Sequence, residues 1–198
     1  LVLDGSNDTI TGLLINSANI VNGSIVNDDI NASAAIASTK ISGSLGKILQ
    51  VVQHEFTTGQ FSTTSNSYVD VTGFSKSITP VAASSKILVM LSCQVQTSPT
   101  GTYNGQCAMS INRSIDGGSY TAIAAHNAGN YIQETYASYH DNSLNINLLD
   151  SPSYTLGNAI TYKMQVRSAD TSVTTRVKIT NGGVTNGASK LILIEVAA

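Results

Sequence analysis

From Ile48 to the C-terminus, several stretches of apolar and polar residues alternate with a period of two. Ile87, Val89, Leu91, Cys93 and Val95 share one face of a long segment, with Lys86, Ser92, Gln94 and Gln96 opposite. Leu144, Ile146 and Leu148 alternate with asparagines, and Ile160, Tyr162, Met164 and Val166 alternate with Thr161, Lys163, Gln165 and Arg167. Tyr68 to Phe74, Val173 to Ile179 and Lys190 to Val196 follow the same rule. Successive side chains of a strand point to opposite faces, so this period predicts strands buried on one side. Turn-forming clusters divide them, among them Ser98-Pro99-Thr100-Gly101, Asp116-Gly117-Gly118, Ser151-Pro152 and Asn181-Gly182-Gly183. Roughly eight to ten strands at such spacing predict an antiparallel β-sandwich, jelly-roll-like, and no helix. Cys93 and Cys107 lie at equal distances from Thr100, both on the apolar side. They are expected to be direct cross-strand neighbours in a hairpin centred there. Bonding between them stays open: the geometry of such a pair permits a disulfide, and a reducing cytosol favours two buried thiols.

The first 47 residues follow another rule. Isoleucines recur at Ile10, Ile15, Ile20, Ile25, Ile30, Ile36 and Ile41, five apart with one step of six. Helices place apolar residues three and four apart and strands two apart, so neither accounts for a period of five. Small and polar residues fill the intervals, and one thread of this kind cannot bury its own isoleucines. Their cover must come from further coils of the same chain, as in a solenoid, or from other copies of the chain around a shared axis. Seven isoleucines make about two solenoid coils, fewer than the roughly three repeats that stability requires, which favours the trimer. A flexible Ser/Asn linker would gain nothing from regular isoleucines. The alanines of Asn31 to Lys40 also allow a short helix capped by Asn31 or Ser33. The expected organisation is therefore all-β: a repetitive fibrous stalk over 1–47, with Ile15, Ile20, Ile25, Ile30, Ile36 and Ile41 on a homotrimer axis, and a β-sandwich head over 48–198.

Composition narrows the function. Charged residues make up 11% of the chain, against about 25% in ordinary soluble domains, while hydrophobic residues reach 41%. A net charge of −2 without a basic stripe gives nucleic acid no electrostatic footprint. No run of 18 apolar residues is present to span a membrane. The histidines, His54, His126 and His140, lack metal-ligand spacing, so no metal or other cofactor is expected. Asp28-Asp29 reads as a solvated turn of the repeat, and Glu134, Asp141 and Asp150 form no assignable acid-base pair. No Gly-x-Ser-x-Gly motif marks a nucleophile. The chain is therefore not expected to be an enzyme. Binding chemistry concentrates between His126 and Asn142, which holds three of the eight tyrosines. Tyr131, Gln133, Tyr136, Tyr139, His140 and Asp141 offer flat rings, amides and an acid suited to a sugar. The competing reading packs Tyr131, Tyr136 and Tyr139 into a strand or subunit interface. Tyr103 and Asn104 form a weaker second candidate, and Tyr120 and Tyr154 read as strand-end packing.

The run from Gly23 to Ile41, Gly-Ser-Ile-Val-Asn-Asp-Asp-Ile-Asn-Ala-Ser-Ala-Ala-Ile-Ala-Ser-Thr-Lys-Ile, resembles a repeat common in tail fibres and other fibrous proteins of tailed bacteriophages, cyanophages among them. Leu148-Leu149-Asp150-Ser151-Pro152, Thr161 to Val166 and the terminal Leu191 to Val196 resemble the C-terminal jelly-roll domains of such fibres. The resemblance implies a homotrimer on the virion, assembled in the bacterial host cytoplasm. Its N-terminal region would dock to other virion proteins, and its head would contact a host-surface receptor such as a glycan. A capsid-decorating fibre or tail adaptor is the alternative, and a glycan depolymerase a more remote one. If the isoleucines line a shared axis, Ile25→Asp with Ile30→Asp places unpaired charge there. Light scattering should then show a fall from about three chain masses toward one; an unchanged mass would reject the axis.

Overall fold

The computed structural model describes residues 30, 31, 34, 48–57, 59–99, 106–126, 140–177 and 189–197. The chain divides into two units, Leu1–Leu45 and Gly46–Ala198. In the first, Ile30 is exposed and the Asn31 carbonyl accepts a hydrogen bond from the Ala34 amide at 2.8 Å. The other stalk isoleucines, Ile10, Ile15, Ile20, Ile25, Ile36 and Ile41, lie outside the described residues; of the expected short helix only Asn31 and Ala34 are described, and neither is in a helix.

The second unit is all-β. Its described strands are β1 (Ile48–Phe56), β2 (Phe61–Thr63), β3 (Val69–Ile78), β4 (Lys86–Pro99), β5 (Cys107–Ile115), β6 (Thr121–His126), β7 (His140–Asp150), β8 (Ile160–Ser168), β9 (Val173–Val177) and β10 (Ser189–Val196). All pair antiparallel. One sheet runs β1-β10-β4-β9-β2 with β7 on the other edge of β4, and the second runs β3-β8-β5-β6. β9 and β10 lie end to end along one edge of β4, opposite Pro99 to Val95 and Ser92 to Lys86 respectively. β2 and β1 continue the same division on their outer side. With each pair counted as one interrupted strand, the orders become 1-8-3-6 and 2-7-4-5, the connectivity of a jelly roll.

The alternating pattern places the core as expected. Ile87, Val89, Leu91, Cys93 and Val95 of β4 are buried, as are Ile160, Tyr162, Met164 and Val166 of β8. Phe56 of β1 and Phe74 of β3 stack at 5.2 Å and join the two sheets. The alternation of Tyr68 to Phe74 breaks at a bulge: Asp70 faces Gln165, but Ser75 already faces Lys163. Gly73, at φ 81°, takes up this bend, and both Val71 and Phe74 thereby reach the core. The β5–β6 hairpin turns through Asp116 and Gly117 at φ 51° and 72°, a type I′ turn closed by Gly118 N–H to Ile115 O.

The cysteine expectation needs correction. β4 and β5 do not form a hairpin; they belong to different sheets. Both edges of β4 are occupied, one by β7 and the other by β10 and β9, so no edge is left for β5. The chain instead crosses to the facing sheet, and Cys93 and Cys107, both free thiols, lie against one core.

Two buried carboxylates close the sandwich at the end where the chain enters at Ile48. Asp150 of β7 accepts bonds from Arg113 of β5 at 2.6 and 2.8 Å and from the Tyr162 hydroxyl of β8 at 2.8 Å. Burial first, then the hydrogen bond to Asp150, pushes the Tyr162 phenol well above its usual range. Glu195 of β10 is 0% exposed. It accepts bonds from Gln50 Nε2 at 2.6 Å and from the amides of Val81 and Ala82 at 3.0 and 3.1 Å. Burial alone would raise the Glu195 pKa, but these donors outweigh it and hold the carboxyl below its ordinary 4.5. A carboxylate depressed in the folded state stabilises the fold above its unfolded pKa, and loses that stabilisation as pH falls through the folded value. Glu195→Gln should therefore cost about 1.5–3 kcal/mol at pH 7. In thermal melts the gap to wild type should narrow as pH drops below about 4.5; a gap independent of pH would exclude the ionised clasp.

Candidate binding surface

The strand registers give the sandwich a direction. Ile48, Val196 and Lys86 mark one end, where the polypeptide enters; Ile78, Ile160 and Ile115 mark the same end of the second sheet. At the opposite, distal end β4 finishes at Pro99 and β6 at His126, while β5 begins at Cys107 and β7 at His140. The connections 100–105 and 127–139 therefore leave and rejoin the sandwich at the distal end. Residues 178–188 connect β9 to β10 from a break within the sheet, between Val177 opposite Val95 and Lys190 opposite Ser92. At that break Ser189 Oγ accepts the Gln94 amide at 2.9 Å.

Neutral hydrogen bonds fix the floor of the distal end. The Ser168 amide donates to Ser65 O at 2.8 Å, and its buried hydroxyl bonds Thr63 O at 3.1 Å and Thr175 Oγ1 at 2.8 Å. Ala169 N–H reaches Gln106 O at 3.0 Å, which ties the β8 end to the start of β5. Asp170 caps the following turn through the Ser172 amide at 2.7 Å, and that bond lowers its pKa.

The outer face of the second sheet continues this polarity. Asp70 accepts Lys163 Nζ at 2.8 Å and Gln165 Nε2 at 2.7 Å; Asn112 Nδ2 donates to Gln165 Oε1 and to Ser110 Oγ, both at 2.9 Å. Burial opposes ionisation of Asp70, but the Lys163 and Gln165 bonds prevail and lower its pKa. Lys163 Nζ also stands 3.7 Å from the ring centre of exposed Tyr120, and the Arg167 guanidinium 5.4 Å from that of Tyr68. The result is a hydrogen-bonded plate bordered by two aromatic rings.

Of the residues proposed from the sequence, Tyr131, Gln133, Tyr136 and Tyr139 lie outside the described residues, as do Tyr103 and Asn104. His140 and Asp141 open β7, their backbones opposite Thr97 and Gln96. Tyr154 packs at a strand end as expected: its hydroxyl accepts the Ser85 amide at 2.9 Å and donates to Ala82 O at 2.7 Å. The polar plate was not anticipated. Its residues alternate visibly in sequence, but only the registers β3–β8 and β5–β8 bring Asp70, Asn112 and Gln165 together. Among the described residues no three His, Cys, Asp or Glu side chains group to hold a metal, and no helix is long and apolar enough to cross a membrane.

No family model matches the sequence, and no curated protein matches it. Among solved structures, a chain from the structure of infectious bursal disease virus Gx strain aligns with 75% of this chain at 14% identity and a TM-score of 0.35. One from the Gt strain aligns with the same share at 16% identity and a TM-score of 0.38. This chain covers 42% and 38% of the length of those chains. At such TM-scores the fold assignment rests on the strand order itself.

Cys93, midway along β4, and Cys107, at the start of β5, are poor nucleophiles. Burial pushes the Cys93 thiol up to about 12 and the Cys107 thiol to about 11. Thiolate is the reactive form, so iodoacetamide at pH 8 should leave both unmodified in the native protein and alkylate both in denaturant. Rapid native labelling of either would contradict the burial described.

Proposed function

We propose that this chain is a virion fibre component whose head attaches to a host-surface glycan. Copies join as a homotrimer through 1–47, and the N-terminal region docks to other virion proteins. The observation that carries this reading is direction: the chain enters the sandwich at one end, and the connections 100–105 and 127–139 leave from the other. Loops on a rigid scaffold are the usual carriers of recognition. The longer of these two holds Tyr131, Gln133, Tyr136 and Tyr139, with His140 and Asp141 at its return to β7. The hydrogen-bonded strand ends at the distal end supply a rigid scaffold of the kind that weak sugar contacts need. The Gly23 to Ile41 resemblance to phage fibres supports a place on the virion, and the role is binding without catalysis.

A second reading, a purely structural decorating fibre or tail adaptor, is favoured by the polar plate. Its amides and carboxylate bond chiefly to one another, which suits a rigid wall more than a receptor site.

The full chain should bind host cells or a surface polysaccharide of the host, and Tyr131→Ala with Tyr136→Ala should weaken binding at least about tenfold without lowering the melting temperature. Absence of binding to every host strain, with the protein seen by electron microscopy on the capsid wall, would replace attachment by the structural reading.

A further inference from the structure

The outer face of the sheet containing β4 differs in kind from the polar plate. At the end where the chain enters, Val51, Ile194, Leu88 and Leu149 are successive partners across β1, β10, β4 and β7. That row is apolar from edge to edge. Val51 is 56% exposed and Leu149 52%, although both belong to paired strands. The next row, Gln53, Ile192, Met90 and Asn147, is half apolar, and the third, Glu55, Lys190, Ser92 and Asn145, is polar. Ile48 and Leu49 extend the patch along the edge strand β1, where Ile48 is 63% exposed. The apolar character is thus graded along the strands and greatest at the end where β1 begins.

We infer that this belt is an interface with further copies of the same chain. The inference rests on the self-association reading and not on the glycan reading. A contiguous apolar patch rimmed by polar residues is the mark of a protein contact. Continuity argues that the occupant is a second copy. The isoleucine period runs to Ile41 and the belt begins at Ile48, so a stalk that gathers copies delivers these rows to one another at high effective concentration. Charge is consistent with this occupant: Lys86 and the Glu55–Lys190 pair stand at the borders, and no ionic group interrupts the row itself. The edge of β1 would otherwise be an exposed, uncharged template for aggregation over Ile48 to Val51.

Two measurements on the full chain test this. Val51→Cys should give covalent dimers with a short bismaleimide, whereas Ser77→Cys, on the outer face of the other sheet, should not. Val51→Lys with Leu149→Lys should keep the β-type circular dichroism spectrum, because both side chains already face water in one copy. The concentration at which the assembly dissociates should rise at least about tenfold, since each lysine would be desolvated without a partner. A wild-type chain that is monomeric at all concentrations would overturn the inference together with the self-association reading. An oligomer without cross-linking at Val51, and with dissociation unchanged by the lysines, would overturn the belt alone and leave the stalk as the joining element.

Discussion

Everything in the sandwich hangs on β4, a strand of 14 residues with partners along both edges. A buried strand cannot leave its amides and carbonyls unpaired without a cost comparable to a lost hydrogen bond. One edge is met by β7 from Ile87 to Thr97, the other by β10 and then β9. The inner face, Ile87 to Val95, supplies the centre of the core. Once β4 is paired on both sides, the next strand has no edge to join and must cross to the opposite sheet. The jelly-roll order follows from that exclusion.

Much of the fold could be read from alternation, and little of the register. The inner faces of β4, β7, β8 and β10 follow directly from residues two apart. The hairpin inferred from Cys93 and Cys107 failed because alternation marks which face a residue takes, not which strand lies beside it. Glu195 shows another limit. Its place in the run Leu191 to Val196 made it an inward position, yet nothing nearby in sequence announces Gln50, Val81 and Ala82 as its donors. The tyrosine-rich segment was found from composition, and the structure adds where its ends attach. The polar plate needed two registers before it existed as a unit.

With charge so sparse, the molecule fixes its polar groups mainly through hydroxyls and amides. Ser168, Thr175, Ser189, Asn112 and Gln165 carry connections that other proteins assign to ion pairs. Such bonds do not depend on screening by salt, so the rigidity of the distal end should vary little with ionic strength. Among the described residues two ionic contacts are placed otherwise: Arg113 with Asp150 ties the two sheets internally, and Lys163 with Asp70 lies on the surface.

The break between β9 and β10 has a further meaning. The two strands keep one line along β4, and the amide of Gln94 at the gap is already satisfied by the Ser189 hydroxyl. The pairing on either side therefore does not depend on what joins Val177 to Ser189. A joint of this kind lets segments of different length be exchanged over evolutionary time without shifting any strand, so the sheet acts as a fixed frame and the connection as its interchangeable part.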